Sequence, residues 1–315
     1  VGRLTVFCWH NVHPTWCFPA PPGRGRVGLE AQLRALTRWA HVVPLEEGLD
    51  ALRDGRPLPS RAVAVTFDDG YRDNLTDALP LLERLGVHAT IFLVPDLLSR
   101  TVRPWWEVLG WAVFRARAPR VEFGGLHEVP ADPGARRPLL ERLLTAVKAL
   151  DARAREEALD ALVVALAPEG DAGTEAMFCD WDDAARLAAH PRVGIGSHSL
   201  RHVILANETP EAQHRDLATS RRILEERLGV PVRSVAYPVG DEAAYSGRTV
   251  EAARAAGYAY GLSTGQRRNG AGVHPHHVAR WVMSPERGTS GFLTLVRPAE
   301  RAVRKRLRAL RPSRG

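Results

Sequence analysis

Along the chain, short apolar runs alternate with longer stretches in which leucine and alanine recur three and four positions apart. Apolar runs bounded by turn residues predict buried strands, here over 4–9, 62–67, 89–94, 193–197, 234–237, 258–263 and 278–283. The stretches between them predict helices. In "TPEAQHRDL", Thr209 is placed to cap, Pro210 to take the first helical position and Glu211 to face the positive end of the dipole. Leu217, Leu224 and Leu228 then share a face, and Gly229 ends the helix. A second helix is expected after Asn74, with Leu75, Leu79, Leu82 and Leu85 inward, Pro80 in its opening turns and Gly86 closing it. Strands and helices in this rhythm predict an α/β fold with parallel strands. Between about 104 and 180 the rhythm stops, and "WWEVLGWAVFRARA", "RRPLLERLLTAVKAL" and "AREEALDALVVAL" read as helices of an insertion near the mouth of a barrel.

Length and composition agree with one α/β barrel carrying an insertion: the chain has 315 residues, and 45% hydrophobic content supplies an ordinary globular core. The formal charge of +7 comes almost wholly from arginine, since only Lys148 and Lys305 are lysines. Scattered arginines with no recognised binding motif argue against nucleic acid as a partner. The terminal "ERAVRKRLRALRPSRG" concentrates positive charge beside a thin stripe of Ala302, Val303, Leu307 and Leu310. A solvated helix is the first reading of this tail, and peripheral contact with an anionic membrane the second. Cys8, Cys17 and Cys179 lack metal-ligand spacing, and an odd count leaves a thiol unpaired, so no disulfide framework is expected. No apolar run approaches the roughly 18 residues of a membrane span, and nothing near Val1 reads as a signal peptide, although a start at valine leaves room for a trimmed leader. A cytoplasmic location is the expectation.

Polar residues gather where the predicted strands end: His10 after the first, Asp68 and Asp69 after the second, Ser197 and His198 after "VGIG", and Tyr237 and Pro238 after "RSVA". In a parallel barrel these ends share one face, where active sites are built. Adjacent carboxylates resist ionising together, so Asp68 and Asp69 call for a cation or a catalytic task. In "GSHSLRH", His198 and His202 are four apart, and with Asp69 they give two nitrogens and one oxygen. That set suits zinc with an open coordination position, and other divalent metals as well.

These segments carry a resemblance. "TFDDGYRDN", "SHSLRH" and "AYPVG" are similar to the three central motifs of the polysaccharide deacetylases, carbohydrate esterase family 4 with its NodB-like domain, and "CWHNV", "SRRILEERLG", "AARAAGY" and "ARWVM" resemble segments of a bacterial subgroup. The resemblance implies a distorted barrel of about seven strands over 1–296, with the basic tail from 297 to 315 outside it. It also implies a divalent metal on Asp69, His198 and His202, zinc first with cobalt or nickel as alternates, and Asp68 as catalytic base. The implied reaction removes the acetyl group from an N-acetylated amino sugar, the oxyanion being held in part by the backbone N–H of Val239.

Two departures from the family pattern shape the candidate list. Typical members carry an arginine where Ala236 stands, and Arg280 in "VARWVM" is the candidate replacement for orienting Asp68. The late leucine-histidine motif that supplies a proton donor is missing, and in the subgroup with a histidine after the first strand that residue resembles the donor, here His10. Tyr237 and Pro238 are read as lining the sugar site, while Trp105 and Trp106 are read as core before stacking platforms. Competing readings are an enzyme with the same fold and metal that cleaves another amide or a cyclic imide, a catalytically inactive glycan-binding module on the same barrel, and an iron-dependent oxygenase built on two histidines and one carboxylate.

Overall fold

The computed structural model describes residues 2–18 and 25–283, so the basic tail lies outside the described residues. In chain order its strands are β1 (Leu4–Trp9), β2 (His41–Val42), β3 (Ala62–Phe67), β4 (Ala89–Leu93), β5 (Arg120–Glu122), β6 (Leu126–Glu128), β7 (Val193–Ser197), β8 (Ser234–Ala236), β9 (Tyr260–Ser263) and β10 (Val278–Val282). All seven expected strands form, three with the expected bounds and four shorter by one or two residues. They pair in parallel in the order β1, β10, β9, β8, β7, β4, β3, and β3 returns to β1, which closes a seven-stranded barrel. The short β2 adds to the start of β3.

Parity along the strands decides what faces the barrel interior. Leu4 and Val6, Ala62 and Ala64, Phe92, Ala236, Leu262 and Val278 form the inner cluster, while Phe7, Trp9, Val63, Val65, Phe67, Ile91 and Val235 pack outward against the helices. Both faces are thus buried, as expected of a parallel sheet covered by helices. Gly196 is required opposite Phe92, because a Cβ there would fall 2.3 Å from the ring that plugs the barrel.

Among the helices, Pro210–Leu228 has the expected ends, with the Thr209 hydroxyl accepting from the Ala212 N–H and Gly229 closing it at φ 66°. The helix after Asn74 departs from expectation. It opens as a π turn over Asn74–Ala78, with the Leu79 N–H reaching back to the Asn74 carbonyl, before Leu79–Leu85 continues as α-helix. The wide turn carries the chain past Pro80, which has no N–H to donate, and it rotates the face: Leu75, Ala78, Leu81 and Leu82 are buried, whereas Leu79 and Leu85 are half-buried.

The insertion contains the helices Trp105–Phe114, Arg137–Lys148 and Ala152–Leu166. It also contains an antiparallel hairpin, β5 with β6, turning at Gly124–Gly125 with both φ positive. These helices and the hairpin's Val121 enclose a second apolar core, joined from the barrel side by Cys17, Tyr71 and Phe178. Cys8, Cys17 and Cys179 are buried free thiols. No helix among the described residues is long and apolar enough to cross a membrane.

Candidate active site

Strand parity carries Thr66 and Asp68 to the inner face at the end of β3, beside Cys8 on β1 and Arg280 on β10. The Asp68 N–H donates to the Trp9 carbonyl, fixing the chain as it leaves the sheet. Arg280 is fully buried and grips Asp68 with both arms: Nη1 donates to Oδ1 at 2.6 Å and Nη2 to Oδ2 at 2.8 Å. Its guanidinium carbon lies 5.4 Å from the centre of the Phe92 ring, and Nη1 also reaches Thr66 Oγ1. The small Ala236 side chain belongs to the same inner layer. Cys8 Sγ adds a longer donor to Asp68 Oδ2 at 3.3 Å. Burial pushes the Asp68 carboxyl up, but Arg280 and the neighbouring His198 outweigh it and hold the group at about 2.

Asp69 turns the other way. Its φ is 71°, followed by Gly70 at 73°, and this left-handed step aims its carboxylate away from Arg280 and at the histidine pair. His198 Nε2 lies 3.2 Å and His202 Nε2 3.3 Å from Asp69 Oδ1. That oxygen nevertheless has no hydrogen bond of acceptable geometry, so three lone-pair atoms converge on one buried point, as ligands to a cation do. His198 Nδ1 donates to the Ala236 carbonyl at 2.8 Å, which leaves its Nε2 unprotonated and inward in the neutral ring. The residues present therefore fit a divalent metal. Burial depresses both imidazoles; facing Asp68 and Asp69 more than offsets this at His198, while His202 ends at about 4. The loop between the histidines is fastened from outside by Asp216, which accepts the Leu200 N–H at 2.8 Å.

Of the eight non-glycine residues with positive φ among those described, Asp69, Ser199, His202 and Val239 belong to this site. Such strain persists only where the surroundings impose it. Val239 at φ 63° is the most telling, because a β-branched residue avoids that region, and no partner for its N–H is found among the described residues. It lines the same cavity of about 530 Å³ as His10, Asp68, Asp69, His198 and His202. His10 sits near Asp68 and Cys8, its ring stacked at 5.6 Å on Phe18 and its carbonyl accepting from Asn74 Nδ2.

Trp105 and Trp106 are buried and also form cavity wall, with the Trp106 ring 4.2 Å from that of His202. Trp106 Nε1 donates to the Tyr71 hydroxyl, which donates to the fully buried Glu107, whose other oxygen accepts the Cys17 N–H. This chain bolts the insertion to the "DDGY" turn. Glu107 escaped the sequence reading, although a lone carboxylate inside "WWEVLGW" was the signal for it. The reading of Tyr237 and Pro238 as sugar-lining is corrected. Both are buried outside the cavity wall, and the Tyr237 hydroxyl donates to the His276 carbonyl while its ring stacks on Tyr245 at 4.9 Å. Ala236 takes the inward position, so its neighbour must face the helices.

Comparison with known proteins bears on the family and the fold. Residues 55–261 match the profile of the family described as polysaccharide deacetylase. The Bacillus subtilis (strain 168) protein YxkH is 23% identical over 299 residues, spanning 92% of this chain and 75% of its own. The Streptococcus pyogenes deacetylase PplD, solved in complex with acetate, superposes with a TM-score of 0.62 at 15% identity, over 94% of this chain and 99% of its own. IcaB from Ammonifex degensii gives 0.59 at 19% identity, over 93% and 95%. At these identities the solved structures establish the fold.

Proposed function

The chain belongs to the polysaccharide deacetylase family, and on that premise we propose that this carbohydrate deacetylase is metal-dependent and releases acetate from an N-acetylated amino sugar. The observation that carries the reading is the division of labour in the carboxylate pair: Asp68 is clamped by Arg280, and Asp69 is turned onto His198 and His202. Asp69, His198 and His202 hold the divalent ion, zinc by the chemistry of two imidazoles and one carboxylate. When bound, the ion supplies Lewis acidity that polarises the amide carbonyl and lowers the pKa of water toward roughly 7.

Arg280 outweighs the effect of burial, so the Asp68 carboxylate is ionised at neutral pH and can accept a proton. As the water oxygen attacks the acetamide carbon, Asp68 takes its proton and the Val239 N–H receives the developing oxyanion. His10, near Asp68 in the same cavity, protonates the nitrogen as the C–N bond breaks. Acetate and a free amino sugar leave. Purified protein stripped by a chelator should release no acetate from N-acetylated monosaccharides, lipid-linked sugars or oligosaccharides, and zinc should restore release from at least one of them. Equal turnover before and after stripping would remove the metal from the reaction.

A further inference from the structure

One wall of the cavity comes from the insertion helix Arg137–Lys148, and what it presents there is positive charge. Arg137, Leu144 and Lys148 line the same space as Asp68, Asp69 and His198, and the two basic residues, eleven apart, stand three turns from each other on one face. Other basic side chains of the insertion are neutralised at the surface: Arg103 by Glu156 and Asp160, Arg115 and Arg117 by Glu169, and Arg120 by Glu128. Arg137 and Lys148 have no carboxylate within ion-pair distance among the described residues. The Arg137 guanidinium instead donates to the neutral Cys17 carbonyl at 2.7 Å and lies 5.9 Å from the Phe114 ring. Among the described residues lining the cavity, the acid outside the carboxylate pair is Asp241, exposed and already accepting the N–H groups of Ala243 and Ala244.

Two unpaired cations on one wall, spaced by an apolar leucine, attract an anion attached to an otherwise uncharged ligand. We propose that the substrate is an acidic saccharide: an N-acetylated amino sugar bearing a phosphate or carboxylate that docks on Arg137 and Lys148 while its acetamide reaches Asp68. This rests on the deacetylase reading above and names its substrate class. Lys148 is exposed at the end of its helix and outside the apolar core, so replacing it leaves the fold intact.

The test is equilibrium binding to the full zinc-loaded chain, followed by tryptophan fluorescence because Trp105 and Trp106 line the cavity. The probes are a neutral N-acetylglucosamine disaccharide, N-acetylglucosamine 1-phosphate, N-acetylglucosamine linked to a uronic acid, and the sugar phosphate on a polyprenyl chain in neutral micelles. Acidic probes should bind at least about fivefold tighter than the neutral one at low salt, with the preference fading in high salt. Lys148→Met should remove most of that preference and leave neutral binding unchanged, which separates docking on the helix from direct contact with zinc. Tighter binding of the uronic acid than of either phosphate identifies a carboxylate, and gain from the polyprenyl chain alone identifies a lipid-linked source. Equal Kd values for neutral and acidic probes, or equal weakening of both by Lys148→Met, would overturn the proposal. Acetate release is measured on the same samples: a Lys148-dependent preference without release from any probe upholds the docking and overturns the deacetylase reading.

Discussion

The barrel holds an arginine–carboxylate cluster at each end, and the two differ in what they leave free. At the C-terminal end Arg280 and Asp68 are 0% and 3% exposed, locked two-by-two, with the carboxylate bordering an open cavity. At the N-terminal end Arg233, entering β8, bridges Asp50 and Glu46 of the helix Leu45–Arg53, and Tyr260 and Arg53 share Asp50. There Arg233 is 35% exposed and Asp50 19%. Solvent screens the lower cluster and its partners are redundant, so it fastens a helix to the barrel. The upper pair is almost fully buried, and its other contacts, Cys8 to Asp68 and Arg280 to Thr66, are longer than the two that lock it, which is the condition for holding a carboxylate in one orientation. The contrast follows the division between a functional upper face and a structural lower one expected of barrels.

The largest effect should come from Asp68→Asn, which keeps the shape but removes the proposed proton acceptor. Acetate release should fall by about 10²–10⁴-fold while metal content stays near normal. Asp69→Asn should lose metal instead, and excess zinc should restore part of its activity. Near-normal turnover in Asp68→Asn, or metal loss equal to that of Asp69→Asn, would reverse the roles assigned to the pair.

Arg280→Met comes next. It leaves a buried carboxylate with the Cys8 thiol as its side-chain hydrogen-bond donor and His198 Nε2 at 4.0 Å among the described residues, and breaking such a pair costs about 3–5 kcal/mol. Thermal unfolding should fall accordingly. As a positioning residue, Arg280 should affect kcat more than KM in the folded fraction, and Arg280→Lys should restore stability better than kcat, because one ammonium cannot hold both oxygens. Full recovery of kcat with lysine would reduce Arg280 to a structural role.

The upper cluster was largely legible in the sequence because its members sit at strand ends in short motifs. Asp68, Asp69, His198 and His202 are each fixed by a few neighbouring residues, and the apolar runs before them gave the strands. Arg280 was readable as a candidate from its place in the last strand and from the fit of an arginine fork to a carboxylate, and parity with the inward Val278 explains why it reaches Asp68. The same rule, applied at Ala236, excludes Tyr237 from the interior, and neglecting it led to the sugar-lining assignment. The contributions of Trp106, Glu107, Arg137 and Lys148 were not legible. They depend on how the insertion packs over the barrel, through contacts such as Tyr71 to Glu107 that no local pattern encodes. The hairpin over β5 and β6 was missed although Gly124–Gly125 is a recognised turn signal, because a run of helices was expected there.

The smallest effect tests the lower half of the comparison. Arg233→Met should cost about 1 kcal/mol, since Tyr260 and Arg53 still hold Asp50 when it is gone. For a chain of this size that is a fall of about 2 °C in Tm, with kcat unchanged. Its pH dependence follows from Asp50, whose carboxyl is held below its usual value, first by the hydrogen bond from Arg233. A depressed carboxyl contributes stability above its unfolded pKa of about 3.9 and loses it as pH falls through the folded value. Glu46, pushed up by burial, protonates earlier in the same descent. The Tm gap between wild type and Arg233→Met should therefore be full at pH 7 and close below about pH 4, as scanning calorimetry across that range would show. A gap that persists in acid would mean that Arg233 acts through packing on Tyr260 rather than through charge, and a drop in kcat would mean that the lower cluster shapes the site after all.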